Sequence, residues 1–475
     1  MRLILFVISI SYVGGILSSC NQSDYPKKPN VLFIAVDDLR PEINSYGALH
    51  VKSPNIDRLA SEGLLFTRSY CNVPVCGASR ASLLTGIKPT KNRFVTFNTY
   101  AQEDARGAVS LPQHFKNHGY YTISNGKIFH HQDDIPDSWS ESPWRPSGNN
   151  GNWRDYVTEV NMKIADSTND GSAWPYEEVS AHDSVYFDGI LAQKSIRDLY
   201  RLKKKDQPFF LAVGFLKPHL PFNAPKKYWD LYPMERISLP YNYFRPEHAP
   251  DAAIHNFGEL RNYYGVPKEG PVSDEMAKTL IRGYYACVSY TDALIGKLLT
   301  ALDELGLREN TIVIMWGDHG WQLGEHTLWC KHANFNVAMR VPMIISAPGY
   351  NGGMKTDALT EYIDIFPTLC ELAGLEMPGQ LHGKSFVSLM RNPKQSFKDV
   401  IYARYINGES IKTDKYLYTE WYNKDGEFYG RMLYDHDDDP DENLNISEMP
   451  ENRALVDSLS KMLHKEIQSA IKINL

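Results

Sequence analysis

Three unbroken apolar stretches of strand length, at residues 31–36, 209–215 and 311–316, most constrain the fold of this chain. None of them alternates between apolar and polar residues, so each predicts a strand that is covered on both faces. A fourth strand is predicted from residue 120 to residue 123, after a helix that ends at Gly119. Buried strands separated by helical segments predict an α/β domain, with a large, mostly parallel or mixed sheet between helices.

The sequence changes character after residue 375. Residues 400–404, 410–415 and 416–421 predict strands joined by turns, and therefore a small antiparallel sheet. Leucines at helical spacing after residue 455 predict a last amphipathic helix against that sheet. The 475 residues suffice for two folded units. We predict a main domain over residues 29–375 and a smaller C-terminal subdomain over residues 376–475.

The N-terminus begins with a short apolar run from Leu3 to Leu17. This run is too short for a comfortable membrane span but fits a signal peptide. The tetrapeptide Leu-Ser-Ser-Cys that ends at Cys20 resembles a bacterial lipobox. We predict a lipoprotein signal peptide over residues 1–19 and a polar tether over residues 20–28. The protein would then be exported to the periplasm or the outer membrane and touch a membrane only through this lipid anchor. A plain secretory signal or a short buried helix stays open.

Charge and cysteine content exclude two classes of function. The net charge of −7 provides no overall basic field of the kind that nucleic-acid-binding proteins use, so we expect no nucleic-acid partner. Apart from Cys20 and Cys76, the four remaining cysteines show no CxxC spacing, which argues against a zinc site. The sequence leaves open one or two disulfides among them.

Each of the four predicted strands is followed by a pair of polar side chains. The carboxyl ends of parallel strands lie at one edge of a sheet, where open α/β sheets bind ligands. Four such pairs therefore predict one composite pocket. Read singly, each pair also fits a solvated turn or a packed side chain. The pairs are Asp37 and Asp38, Lys127 and His130, Lys217 and His219, and Asp318 and His319.

A further segment, CNVPVCGASRASLLTG at residues 71–86, places Cys76 at the start of a predicted helix. Gly86 is suited to the left-handed position that ends such a helix. Arg80 lies one turn after Cys76 on the same helix face. The positive end of a helix dipole and a guanidinium together favour an oxyanion. A lone cysteine in this position would more simply be a buried structural residue.

The pattern Cys-x-Ala-Ser-Arg-x-Ser-Leu-Leu-Thr-Gly that begins at Cys76 resembles the signature of type I, formylglycine-dependent sulfatases. This resemblance implies the alkaline-phosphatase-like sulfatase fold. It is closest to the iduronate-2-sulfatase branch, whose typical phrases occur at residues 126–130, 217–222, 317–326, 329–331 and 410–421. Ala78 replaces the proline of many sulfatases and resembles substrates of bacterial anaerobic maturases. The match weakens in the segments at about 133–182 and 223–272. These segments would determine the specificity for the sugar.

The resemblance also implies a metal site and a modified residue. Cys76 would be oxidised by a formylglycine-generating maturase to Cα-formylglycine, whose hydrate is the nucleophile. The modified Cys76 would share a Ca²⁺ ion, or Mg²⁺, with four side chains. Three carboxylates suit such a hard cation, whereas histidine is a less usual calcium ligand. The four side chains are those of Asp37, Asp38, Asp318 and His319.

The remaining site residues follow from the same resemblance. Arg80 and Lys127 would stabilise the nucleophile and the sulfuryl oxygens. His130 would take a proton from the second hydroxyl of the hydrate. His219 and Lys331 would bind the sulfate ester and protonate the leaving sugar oxygen.

The function implied by the resemblance is hydrolysis of a sulfate ester. The expected substrate is the 2-O-sulfate of a uronic acid, iduronate or unsaturated uronate, in oligosaccharides of heparin/heparan or chondroitin/dermatan sulfate. Three alternatives stay open. They are a phosphonate or phosphodiester hydrolase with the same nucleophile, a sulfatase of another sulfated glycan, and a glycan-binding surface lipoprotein with an unmodified Cys76.

Overall fold

The computed structural model describes residues 28–147 and 153–472. The predicted signal peptide, Cys20 and nearly all of the tether lie outside these residues. Within the described ranges, the helices are either too short or too polar to pass through a bilayer. The five described cysteines are all buried and free, so no disulfide forms among Cys71, Cys76, Cys287, Cys330 and Cys370.

The secondary structure alternates between strands and helices up to about residue 375 and then turns to consecutive strands. The strands are β1 Asn30–Val36, β2 Leu64–Tyr70, β3 Tyr121–Gly126, β4 Tyr176–Val179, β5 Phe209–Phe215, β6 Phe222–Pro225, β7 Thr311–Gly317, β8 Gln322–Leu323, β9 Trp329–Cys330, β10 Arg340–Ser346, β11 Met354–Thr356, β12 Thr360–Glu361, β13 Val400–Tyr405, β14 Gly408–Thr413, β15 Tyr416–Tyr422 and β16 Phe428–Asp435. The helices are α1 Pro54–Ser61, α2 Cys76–Thr85, α3 Ala101–Asp104, α4 Leu111–Asn117, α5 Glu159–Asp166, α6 Phe187–Leu202, α7 Lys226–Trp229, α8 Gly258–Arg261, α9 Asp274–Glu304, α10 Asn336–Met339, α11 Ile365–Ala373, α12 Val387–Arg391 and α13 Arg453–Ile471.

One eight-stranded sheet organises the larger part of the chain, in the order β11-β2-β10-β7-β1-β5-β3, with β12 paired to β2. The four strands predicted from the sequence are neighbours in this sheet, and β1 runs parallel to both β5 and β7. Strand β3 continues the parallel set on the far side of β5, whereas β10 is antiparallel to β7 and β2. The sheet is therefore mixed and mostly parallel, which confirms the predicted fold class. The carboxyl ends of β7, β1, β5 and β3 meet at one edge.

The central strand β1 shows why its sequence lacks alternation. Val31, Phe33 and Ala35 pack on one face of the sheet, in a core shared with α2, α4 and α11. The intervening side chains of β1 pack on the other face, in a core shared with α6 and α9. Burial of both faces removes apolar surface from water at every position, and each such side chain contributes about 1.5–3 kcal/mol. The layered core fixes the strand ends that carry the polar pairs.

The C-terminal residues form a separate antiparallel sheet in the order β13-β14-β15-β16. Helix α13 packs on it through Leu459 and Leu463, as the leucine spacing predicts. Strand β16 was not predicted, because the acidic residues that follow Leu433 suggest only a turn. Its residues Met432, Leu433 and Tyr434 are nevertheless buried. The division into subdomains at residue 375 stays a prediction.

Candidate active site

The structure brings all ten predicted site residues to the shared edge of the sheet. The strand ends are held by the layered core, and α2 begins beside them. The metal-ligand candidates are Asp37 and Asp38 after β1, Asp318 and His319 after β7, and Cys76 at the start of α2. The other predicted residues are Arg80 on α2, Lys127 and His130 after β3, His219 after β5, and Lys331 after β9.

Asp37, Asp38, Asp318 and His319 form a compact, fully buried group. Each offers one ligand atom, and these atoms all lie within 4.8 Å of one another. Cys76 joins Asp37 and His319 in a second group that meets the same limit. Carboxylates this close and this deeply buried repel each other unless positive charge lies among them. The spacing is that of ligands around one ion.

The side chain of His319 tests whether this group fits a divalent cation. Its Nδ1 lies 3.0 Å from the carbonyl oxygen of Gly320, which is the partner expected of an Nδ1–H donor. Its Nε2 is buried and has no hydrogen-bond partner in the described residues. That nitrogen faces Oδ1 of Asp38 at 3.3 Å and Oδ1 of Asp318 at 3.5 Å. A free Nε2 beside carboxylate oxygens fits a hard cation held by all three groups.

Arg80 and Lys127 surround the carboxylates on the side of α2. Arg80 is fully buried and donates from Nε to Oδ2 of Asp318 at 2.9 Å and from Nη2 to Oδ1 of Asp37 at 3.3 Å. Its Nη1 donates to the carbonyl oxygens of Lys127 and Ile128. Lys127 donates to Oδ2 of Asp37. Burial raises the pKa of Asp37, but Lys127 and Arg80 outweigh burial and hold this pKa well below its usual range.

Cys76 and His130 lie side by side at the start of α2. Sγ of Cys76 is 3.3 Å from Nδ1 of His130. Burial raises the pKa of the thiol, but Lys127 and His319 outweigh burial and lower it below its ordinary value. Burial and Lys127 lower the pKa of His130 to about 2. The imidazole is therefore neutral at physiological pH and can accept a proton from a group on Cys76.

Lys331 and His219 lie on the opposite side of the metal-ligand group, joined by a residue that was not predicted. Nζ of Lys331 lies 3.1 Å from each carboxylate oxygen of Asp38 and 2.8 Å from Oε1 of Glu259. Nε2 of His219 lies 3.2 Å from the same Oε1. Burial raises the pKa of Glu259, but Lys331 and His219 outweigh burial and hold this pKa well below its usual range. Glu259 thus contacts and orients both Lys331 and His219.

Comparison with known proteins decides the family. A sulfatase family model matches residues 29–375, which are most of the chain. The chain belongs to the sulfatase family. A second model, described as the C-terminal region of N-sulphoglucosamine sulphohydrolase, matches residues 324–469 of this sulfatase. The enzyme is thus a sulfuric ester hydrolase, and the alternative of a non-catalytic binding protein is not supported.

Relatives of known name cover nearly the same length. The sulfatase is 32% identical to iduronate 2-sulfatase of Mus musculus, over 90% of this chain and 93% of the relative. It is 36% identical to iduronate 2-sulfatase of Homo sapiens, over 78% of this chain and 73% of the relative. A solved structure in complex with its substrate D-glucosamine-2-N,6-O-disulfate superposes with a TM-score of 0.76, over 94% of this chain and 98% of that one. At 22% identity this likeness shows the fold.

Two residues beside the active site of the sulfatase lie in segments whose sequence carries no periodic signal. Glu259 is the second residue of the four-residue helix α8, within the long segment at 223–272. Trp153 belongs to the segment at 133–182, and its ring meets that of His219 edge-on at 5.3 Å. The length and irregularity of both segments indicated a role, as expected for functional loops. The tryptophans of the segment at 133–182, which include Trp153, suit sugar stacking as well as packing of a loop against the protein body. The side chain of Trp153 is 41% exposed and is available to a bound ligand.

Proposed function

We propose that this sulfatase removes the 2-O-sulfate of a uronic acid, iduronate or unsaturated uronate, from oligosaccharides of heparin/heparan or chondroitin/dermatan sulfate. The likeness to iduronate 2-sulfatase over most of the chain supports this substrate class. The placement of Cys76 is the observation that best supports sulfate ester hydrolysis as the reaction. Its Sγ lies between the buried metal-ligand group and His130, in a site that Lys127 and Lys331 make locally positive.

The proposal includes a modified nucleophile and a bound ion. Formylglycine, made from Cys76 by a maturase, and Ca²⁺ or Mg²⁺ would supply a hydroxyl nucleophile and polarisation of the sulfate. Asp37, Asp38, Asp318 and His319 would hold the ion. The hydrogen bonds of Arg80 to Asp37 and Asp318 support a positioning role for the guanidinium, which fixes these carboxylates. Lys127 would reach the sulfate oxygens once the ion shares Asp37.

Proton transfer is assigned to two histidines on opposite sides of the ion site. His130 is kept neutral by burial and by Lys127, so it would accept the proton from the group on residue 76. His219 lies near Trp153 and shares Glu259 with Lys331. His219 and Lys331 would therefore bind the ester oxygen. His219 would return a proton to the departing sugar.

A panel of position-defined sulfated disaccharides tests the proposal. We expect release of sulfate from the uronate 2-O position and little release from glucosamine N-, 3-O- or 6-O-positions. Cys76→Ala should abolish release. Retention of desulfation by Cys76→Ala, or preference for another sulfate position, would contradict the proposal. Phosphonate monoester hydrolases share the fold, at a TM-score of 0.74 and 23% identity. The panel therefore includes a phosphonate monoester, whose faster hydrolysis would favour that alternative.

Export and anchoring are proposed from the sequence. We infer that residues 1–19 direct export and that Cys20 carries the lipid, with a polar tether before the catalytic domain. Cells supplied with labelled palmitate should label the wild-type protein and leave Cys20→Ser unlabelled. Equal labelling of both proteins, or none of either, would contradict the anchor.

A further inference from the structure

A cavity of about 550 Å³ lies between the eight-stranded sheet and the C-terminal sheet. None of the ten predicted site residues lines it. One wall comes from β2 and β10, with Arg68 and Arg340, and the other comes from β14, with Lys412. The volume lies within the range of about 300–1,000 Å³ that is typical of small-molecule sites. We call this space the inter-sheet cavity.

The carboxylates that line the inter-sheet cavity are already partnered. Asp414 accepts from Arg68 at 2.5 Å, and Glu442 lies 2.8 Å from Nε2 of His436. The charge of Asp414 is therefore offset by Arg68, and the carboxylate of Glu442 is held by a hydrogen bond. The other partnered carboxylates are Glu42 and Glu325 with Arg40, Asp437 with Lys415, and Asp441 with the hydroxyl of Tyr241.

Two cations of the same cavity have no such partner. Nζ of Lys412 donates to the carbonyl oxygen of Asp414 at 3.3 Å, and Nε of Arg340 donates to the carbonyl oxygen of Thr67 at 2.8 Å. Within residues 28–147 and 153–472, neither side chain has a carboxylate within 4.0 Å. Lys412 is only 2% exposed. A buried ammonium without a counter-charge is costly, so such a group favours binding of an anion.

Neighbouring groups strengthen this preference. Burial and the nearby Arg68 lower the pKa of Lys412 to about 8, although the more distant carboxylates of Glu442, Asp414 and Asp437 act in the opposite direction. The ammonium is therefore charged at neutral pH but only partly stabilised by its surroundings. Burial raises the pKa of Tyr70, which also lines the cavity, to about 12. Its hydroxyl therefore stays protonated and able to donate. The partnered carboxylates can in turn accept hydrogen bonds from hydroxyl groups.

We propose that the inter-sheet cavity binds an acidic saccharide unit, whose sulfate or carboxylate contacts Lys412 and Arg340 and whose hydroxyls contact the cavity's carboxylates. The site would bind this unit apart from the catalytic centre, since none of the ten predicted site residues lines the cavity. The choice of a saccharide rests on the proposed function, whereas the unpaired cations do not depend on it.

The test uses the full-length active enzyme and a heparin octasaccharide that the enzyme has already digested to completion. Calorimetric titration should give a dissociation constant on the order of tenfold higher for Lys412→Met, and higher again for Lys412→Met with Arg340→Gln. Turnover of a small aryl sulfate, which is too short to reach both sites, should be unchanged. Lys412→Arg should retain binding. Lys424→Met, in an exposed turn of the C-terminal sheet that does not line the cavity, is the matched control.

Unchanged octasaccharide affinity in both Lys412→Met and the double variant would overturn the inference. An equal loss of aryl sulfate turnover would also overturn it, because the cavity would then act only through folding. A carboxyl-reduced octasaccharide and a fully desulfated one identify which anion Lys412 contacts. Failure of the proposed function can be told apart from failure of the cavity inference. In the first case the disaccharide panel would show no 2-O-desulfation, while octasaccharide binding would still depend on Lys412.

Discussion

Sγ of Cys76 lies 3.3 Å from Nδ1 of His130, although the two residues belong to different elements. Cys76 begins α2, and His130 follows β3, which lies beyond β5 at the edge of the parallel strands. A nucleophile precursor and a neutral base therefore meet because the sheet order brings them together. The relationship supports chemistry at residue 76 rather than a structural role for a buried thiol.

Removal of the proposed divalent ion should inactivate the enzyme. Chelation would remove polarisation of the sulfate worth several kcal/mol, so sulfatase activity should fall on the order of a hundredfold or more. Activity measured before chelation, after it, and after addition of Ca²⁺ or Mg²⁺ checks this. Asp318→Asn should resemble the chelated enzyme and should not recover. Full activity in excess chelator would rule out a metal-dependent site.

Replacement of Glu259 should impair catalysis without unfolding the protein. Its Oε1 contacts both Lys331 and His219, the side chains proposed to bind the leaving group. Glu259→Gln should therefore weaken the positioning of both side chains and lower kcat on the order of a hundredfold. Steady-state kinetics with a sulfated disaccharide give the value. Glu275→Gln, at an exposed position on α9, is the matched control. Wild-type kcat in Glu259→Gln would show that the shared carboxylate has no positioning role.

Replacement of Trp153 should raise KM for oligosaccharides more than KM for small sulfate esters. Its ring lies edge-on to His219 and is partly exposed, where a sugar next to the sulfated unit would pack. Trp153→Ala should raise KM for a sulfated tetrasaccharide about tenfold, because aromatic contact contributes on the order of 1 kcal/mol or more. KM for an aryl sulfate should hardly change. Phe428→Ala, an exposed aromatic of the C-terminal sheet, serves as control. Equal effects on both substrates would contradict a role in sugar binding.

Glu361 should stabilise the contact between the two sheets at neutral pH. It is buried and accepts hydrogen bonds from Nδ2 of Asn72 and the backbone of Tyr402, both at 3.0 Å, and pairs with Lys398. Glu361→Gln should lower the free energy of unfolding at pH 7 by about 2 kcal/mol, because it removes one of the two carboxylates, Glu361 and Asp364, that pair with the buried Lys398. Denaturant unfolding measures this loss. Glu371→Gln, an exposed position on α11, should change little.

The pH dependence of the Glu361 contribution has a definite sign. Burial raises the pKa of Glu361, but Lys398 and Lys88 outweigh burial and hold this pKa below its ordinary value of 4.5. The contribution is therefore complete above the pKa of the unfolded chain and is lost as the pH falls below it. The stability difference between wild type and Glu361→Gln should shrink between about pH 5 and pH 3. A difference that grows on acidification would contradict this assignment.

The sequence predicted the parts of the fold that local chemistry dictates. The unbroken apolar run of β1 predicted a strand with two buried faces, and Gly86 predicted the end of α2, where its φ is +69°. Because the strand ends of a parallel sheet share one edge, the polar pairs could be assigned to one pocket from the sequence alone. The resemblance to sulfatases then supplied the roles, which composition and spacing could not.

Other features depended on long-range packing and could not be predicted. Glu259 is a carboxylate in an irregular segment, and its importance comes only from contacts with Lys331 and His219, 72 and 40 residues away along the chain. The partners of Arg80 likewise follow from the placement of β1, β3 and β7 around α2. Strand β16 is recognisable only from the burial of its apolar residues against neighbouring elements.

The most direct test is the mass of the peptide that contains residues 71–86, taken from protein produced together with a formylglycine-generating maturase. We expect residue 76 to have the mass of formylglycine, which is lighter than cysteine, and we expect this peptide to react with a hydrazide. Protein made without a maturase should retain the cysteine mass and lack sulfatase activity. A fully active enzyme whose residue 76 has the mass of unmodified cysteine would contradict the account.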